Sequence, residues 1–218
     1  MNKTLIVGAI AGIASLASAD AQYQVVMNGT IDYNQAHGNI FENLSPGDDI
    51  SYSFLVDGNV YLDSASFNVR GYDIIDGSFQ VSGAGGTVVA GLADPFPFGA
   101  TPYFVIRDND PAVDGFYLTW GGVDFPGGLP TEVPGVIGDP FEAAFEVSYA
   151  GSTLSSLDIA GATGTYDYTG IQSFYFNLVD LGFEAVGINY VNMTITKVPA
   201  PATLFALAPL AMLRRRRA

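Results

Sequence analysis

The sequence predicts an all-β fold, an antiparallel β-sandwich of jelly-roll-like type, with an N-terminal signal helix and a short C-terminal membrane helix. Three observations predict it. Apolar and polar residues alternate with period two over much of the chain. Gly (26), Phe (15) and Tyr (12) are abundant while Lys and Glu are sparse, a composition of strands and turns. No stretch between the two ends shows helical spacing of apolar residues.

The first strand is read over 24–33, with Val25, Met27, Gly29, Ile31 and Tyr33 on one face. Over 49–57 the apolar face is Ile50, Tyr52, Phe54 and Val56. Ala65, Phe67 and Val69 alternate with Ser66, Asn68 and Arg70. Phe141, Ala143, Phe145, Val147 and Tyr149 alternate with Glu142, Ala144, Glu146 and Ser148. Val191, Met193 and Ile195 form the last apolar row. Further strands without clean alternation are read over 87–90, 103–106, 116–120 and 174–179. Turns are expected at Pro46-Gly47, Asp57-Gly58, Asp76-Gly77, 83–86, Asp114-Gly115 and Gly127-Gly128. About ten one-sided strands joined by such turns describe a sandwich or jelly roll. A lipid-embedded barrel fits less well, because several strands are short and their polar faces carry Asp and Glu.

The chain divides into residues 1–21, 22–197 and 198–218. Within the middle part, 47–56 resembles 138–147, which hints at two weak repeats over about 23–113 and 116–197. Any two alternating strands entered by a Gly-Asp turn would look alike, so both readings stand.

The N-terminus reads as a signal peptide. Lys3 gives a positive start, 5–14 an apolar run, and Ala17, Ala19 and Ala21 two A-x-A cleavage sites, so cleavage is expected after Ala19 or Ala21. The middle part then holds 21 Asp and Glu against Arg70, Arg107 and Lys197, a net charge of −18. So few cations exclude nucleic acid as a partner and disfavour docking on anionic lipid. The chain has no Cys, so an exported domain must hold without disulfides.

The C-terminus carries half of the chain's eight basic residues. Val198-Pro199-Ala200-Pro201 precedes the apolar run 202–213, and Arg214, Arg215, Arg216 and Arg217 follow it. An apolar run closed by arginines partitions into lipid with its charges on the cytoplasmic side. The run makes about 18 Å of helix against a hydrocarbon core of about 30 Å, and Pro209 interrupts it.

This three-part tail resembles the PEP-CTERM sorting signal of bacterial exosortase substrates, with Ala200 in place of the family's glutamate. The likeness covers about a tenth of the chain. It implies processing by signal peptidase and exosortase, transient anchoring in the inner membrane, and trimming near Pro199 and Pro201. Release to the cell surface or an exopolysaccharide matrix would follow. The β-rich middle part also looks like the extracellular domains that precede such tails, and that likeness implies no general catalytic activity.

Chemistry in the middle part is sparse. Asp108, Asn109, Asp110 and Asp114 place four oxygen-bearing side chains within seven residues, enough to begin a Ca²⁺ site. They equally fit a polar hairpin built on side-chain turn bonds. His37 is the one histidine, no G-x-S-x-G elbow occurs, and no metal site of His or Cys type is available. Glu142 and Glu146 stand about 13 Å apart along one strand face, too far for a glycosidase pair. Trp120, beside Gly121-Gly122, is the leading candidate for stacking on a sugar, with Tyr72, Tyr117, Phe125 and Tyr175 as further aromatics. The expected function is that of an exported, non-catalytic surface or matrix protein. The alternative is a module that binds exopolysaccharide with or without Ca²⁺.

Overall fold

The computed structural model describes residues 21–36, 40–132, 141–180 and 184–199. The signal helix with Ala19, the loop residue His37, and the tail from Ala200 and Pro201 through the apolar run to Arg214, Arg215, Arg216 and Arg217 lie outside them. Among the described residues no helix is long and apolar enough to cross a membrane.

Twelve strands follow one another: β1 (Gln22–Asn34), β2 (Asp49–Asp63), β3 (Val69–Ile74), β4 (Gln80–Ser82), β5 (Val88–Leu92), β6 (Pro102–Arg107), β7 (Val113–Trp120), β8 (Leu129–Glu132), β9 (Phe141–Ala150), β10 (Gly164–Tyr166), β11 (Ile171–Asp180) and β12 (Ala185–Lys197). All pairings are antiparallel. The hydrogen-bonded path β1-β12-β11-β9-β7-β6-β3-β2 closes because β1 also pairs with β2. The fold is therefore all-β, a closed antiparallel sheet of barrel- or sandwich-like form. Closure leaves these strands no open edge. A shorter arch of β4, β5 and β8 links β2 to β9, and β10 adds to β12.

The alternation read from sequence sets the inward faces. Val25, Met27 and Ile31 of β1, Ile50, Tyr52, Phe54 and Val56 of β2, and Phe141, Phe145 and Val147 of β9 are all buried. Aromatic rings fill the interior. Phe54, Phe104 and Phe116 run across β2, β6 and β7 with centroids 5.6 and 5.7 Å apart, while Tyr52, Phe176 and Phe145 meet edge-on at 4.8 and 5.5 Å. Truncating one such ring to Ala costs about 3–5 kcal/mol. The Tyr52 hydroxyl donates to the Asn177 carbonyl at 2.5 Å, so the polar end of that ring is satisfied. Both halves of the chain feed the same core, and the segment 151–163 adds Leu154, Ile159 and Ala162 to it.

Several sequence expectations are corrected. Asp57-Gly58 is not a turn: it lies inside β2, where the pairing to β3 shifts between Val56 and Tyr61. The Gly58 N–H donates to the Ala21 carbonyl at 2.8 Å, and a Cβ at Gly58 would come within 2.7 Å of Tyr23. Asp114-Gly115 is also within a strand, β7; a Cβ at Gly115 would sit 2.3 Å from the Val147 carbonyl of β9. Both glycines answer to close backbone approach rather than to a turn. The strand read over 65–70 begins only at Val69, because Ser64 Oγ accepts the N–H groups of Ser66 and Phe67, each at 3.0 Å, and bends the chain there. Val191 points outward because a bulge falls between Tyr190 and Asn192, which turns Tyr190 inward. A second bulge between Ile31 and Tyr33 leaves Tyr33 exposed.

Candidate functional site

Trp120 ends β7 and is half-buried. Its ring lies against Phe96 edge-on at 6.1 Å and parallel to Phe98 at 6.3 Å, with an angle of 8° between the two planes. Phe96 and Phe98 come from the connection between β5 and β6, where Pro97–Gly99 makes one tight turn. Phe98 is 96% exposed and has a φ of 57°. A large ring in the left-handed region costs backbone energy, on the order of 1–2 kcal/mol. An exposed ring gains little from its own fold in return. Strain held without burial is a mark of a contact site.

The chain after Trp120 turns back over the outside of β3, β6 and β7. Gly121 takes a φ of 71° to begin the turn. Val123 then seats on Gly71, where a Cβ would meet it at 2.4 Å, and packs with Val69, Val105 and Tyr117 in a small second cluster. The buried Tyr117 hydroxyl donates to the Val123 carbonyl at 2.6 Å and fixes the loop. This places Phe125, 67% exposed, edge-on to Phe67 at 5.3 Å. Between Trp120 and Phe125 lies an open groove of about 380 Å³ whose wall includes Leu62, Asp63, Ser64 and Asp124.

The charges around this groove are already arranged. Arg70 donates from Nε to Asp63 Oδ1 at 2.5 Å and from Nη2 to Oδ2 at 2.9 Å, and its guanidinium lies 3.9 Å from the centre of the Tyr61 ring. These hydrogen bonds hold the Asp63 carboxyl below its ordinary range. Arg107 is turned to Glu146 at 3.6 Å and to the Tyr117 ring at 5.1 Å. Exposed rings beside carboxylate and hydroxyl acceptors are suited to a ligand with apolar C–H faces and many hydroxyls.

The other residues singled out from sequence fall elsewhere. Asp114 is wholly buried: Oδ1 accepts the Asn109 N–H at 2.9 Å and Oδ2 the Leu154 N–H at 2.6 Å. Asp108 Oδ1 accepts from the Asn109 side chain at 2.9 Å, and the Asp110 N–H donates to the Val113 carbonyl. Among the described residues Asp108, Asp110 and Asp114 do not form a group able to hold a metal ion. Glu142 and Glu146 project outward from β9, where Glu142 accepts the Gly128 N–H at 3.1 Å. Tyr72 and Tyr117 are buried, and Tyr175 is exposed at a separate hollow beside Glu142 and Glu146. Of the five aromatics, Trp120 and Phe125 share the groove. Val198 and Pro199 are described: the Val198 N–H donates to the Gln22 carbonyl at 2.9 Å, so the tail leaves the sheet beside the start of β1.

The site also includes Phe67, Phe98, Asp63 and Asp124, which the sequence alone does not single out. Phe98 carried a local signal, since 95–99 alternates Pro and Phe before a Gly, an odd run for a buried segment. Asp63 and Phe67 carried none, as their approach to Phe125 depends on the fold of residues 121–128. Comparison with family models, with curated proteins and with solved structures finds no match to this chain.

Proposed function

We propose that this protein is an exported, non-catalytic surface domain that holds exopolysaccharide in the groove between Trp120 and Phe125. The observation that carries this reading is the row of rings at one end of the sheet: Trp120 and the exposed Phe125 line the groove, and the almost fully exposed Phe98 lies beside it, parallel to Trp120. Such rings accept the C–H face of a sugar, while Ser64 and the carboxylates of Asp63 and Asp124 take its hydroxyls. The signal peptide and the PEP-CTERM-like tail give the route. Signal peptidase removes the leader, the apolar run anchors the chain in the inner membrane, and exosortase trims near Pro199 and Pro201 to release it to the surface or matrix.

Two experiments test this. Binding of the purified protein to exopolysaccharide should be lost in Trp120→Ala and in Phe125→Ala, and the second, at a ring 67% exposed, should melt close to the parent; retention of binding in both refutes the groove. Fractionation of cells expressing the full chain, or a chain ending at Lys197, should place the two in different compartments. Equal placement refutes the sorting role of the tail.

A further inference from the structure

We infer that the groove takes uncharged glycans and turns away acidic ones. This rests on the glycan reading of the groove and adds the class of sugar. Exopolysaccharides divide into neutral chains and chains bearing carboxylate or sulfate groups, and the two make opposite demands on a site. A neutral sugar needs rings and hydrogen-bond acceptors. An acidic sugar also needs a cation free to pair with it, because its charge would otherwise be desolvated beside protein carboxylates.

The cation next to this groove is Arg70, and it is already occupied. Both carboxylate oxygens of Asp63 hold it in a two-pronged pair, and the Tyr61 ring covers one face of its guanidinium. Pairs of this geometry are among the strongest surface contacts, so an incoming acid would have to displace Asp63 and leave that carboxylate unpaired. Among the described residues the remaining cations are Arg107, turned to Glu146 and Tyr117, and Lys197 at the end of β12. Asp124 adds a second carboxylate on the groove wall. The net charge of −18 over residues 22–197 repels a polyanion at longer range. Specificity here comes from repulsion of the wrong ligand as much as from attraction of the right one.

The test uses the full-length protein and two purified probes, a neutral glucan oligosaccharide and an oligogalacturonate, each titrated at about 20 and about 500 mM NaCl. The glucan should bind with an affinity that changes less than about twofold across this range, since no ion pair forms. The oligogalacturonate should not bind. Asp124→Lys should admit it at low salt and lose it at high salt. Phe98→Ala, at a side chain too exposed to unfold the domain, should weaken glucan binding by about tenfold. Binding of oligogalacturonate by the parent protein, with the same dependence on Phe98, overturns the charge inference and leaves the glycan site standing. Failure of both probes to bind, or glucan binding indifferent to Phe98, overturns the glycan site itself.

Discussion

The carboxylate of Asp114 accepts the backbone N–H of Leu154 at 2.6 Å in a fully buried setting. With its other oxygen on Asn109, it ties the β6–β7 hairpin to the segment 151–163, whose Leu154, Ile159 and Ala162 enter the core. Asp114→Ala leaves two backbone donors unsatisfied and should destabilise the fold by about 2–4 kcal/mol in urea denaturation. Asp114→Asn keeps one acceptor and should cost less. Because both oxygens are taken, Ca²⁺ and EDTA should give equal melting temperatures. A rise of several degrees with Ca²⁺ would assign Asp108, Asn109, Asp110 and Asp114 a metal role.

Gly71 is the seat of the loop that shapes the groove. Gly71→Ala would bring a methyl group to 2.4 Å from Val123 and lift residues 121–125 off the sheet. The cluster it disturbs is separate from the main core. Glycan affinity should therefore fall by about tenfold or more, while unfolding free energy changes by about 1–2 kcal/mol. Tyr117→Phe, which removes the hydroxyl bond to the Val123 carbonyl, should give a weaker effect in the same direction, read by calorimetric titration.

Two buried tyrosines, Tyr117 and Tyr190, and the half-buried Tyr166 set the alkaline limit. Burial pushes Tyr117 up to about 12 against the partial offset of Arg107, and burial followed by Tyr149 pushes Tyr166 up to about 12. Burial, then the hydroxyl contact with Tyr149 at 3.0 Å, also raises Tyr190. These groups keep their protons in the folded state when the unfolded chain has lost them. Stability is thus complete below about pH 10 and falls as pH rises toward 12, by up to about 1.4 kcal/mol per pH unit for each such group. Denaturation series between pH 9 and 12 should show this decline, and absorbance near 295 nm should show a late-titrating fraction of tyrosine. Flat stability across that window would contradict the burial of these rings.

Ala21 belongs to the folded domain. Its carbonyl accepts the Gly58 N–H at 2.8 Å, and its side chain packs against the core. Of the two cleavage sites, the one after Ala19 preserves this contact and the one after Ala21 destroys it. The mature N-terminus should be Asp20, as read by mass spectrometry. A chain starting at Gln22 should be less stable by about 1 kcal/mol.

Legibility followed physical range. The inward rows of β1, β2 and β9 were readable because one buried face imposes period two on its own strand. The short strands β4, β8 and β10 were not, since three or four residues cannot display a period. Gly58 and Gly115 look like turns in the sequence because glycine serves a turn and a close crossing alike, and only the partner strand distinguishes them. Trp120 and Phe125 stood out by residue type. Their partners lie far from them in sequence: the loop over Gly71 brings Phe125 to Phe67 and Asp63, and the separate turn at Pro97–Gly99 brings Phe98 to Trp120.

Trp120 is the chain's single tryptophan, so intrinsic fluorescence reports this groove alone. Titration of the full-length protein with a neutral glucan oligosaccharide should shift the emission in a saturable way, and Phe98→Ala should move the midpoint about tenfold higher. An emission spectrum unchanged at saturating glycan, or a midpoint unmoved by Phe98→Ala, would contradict the glycan-binding account.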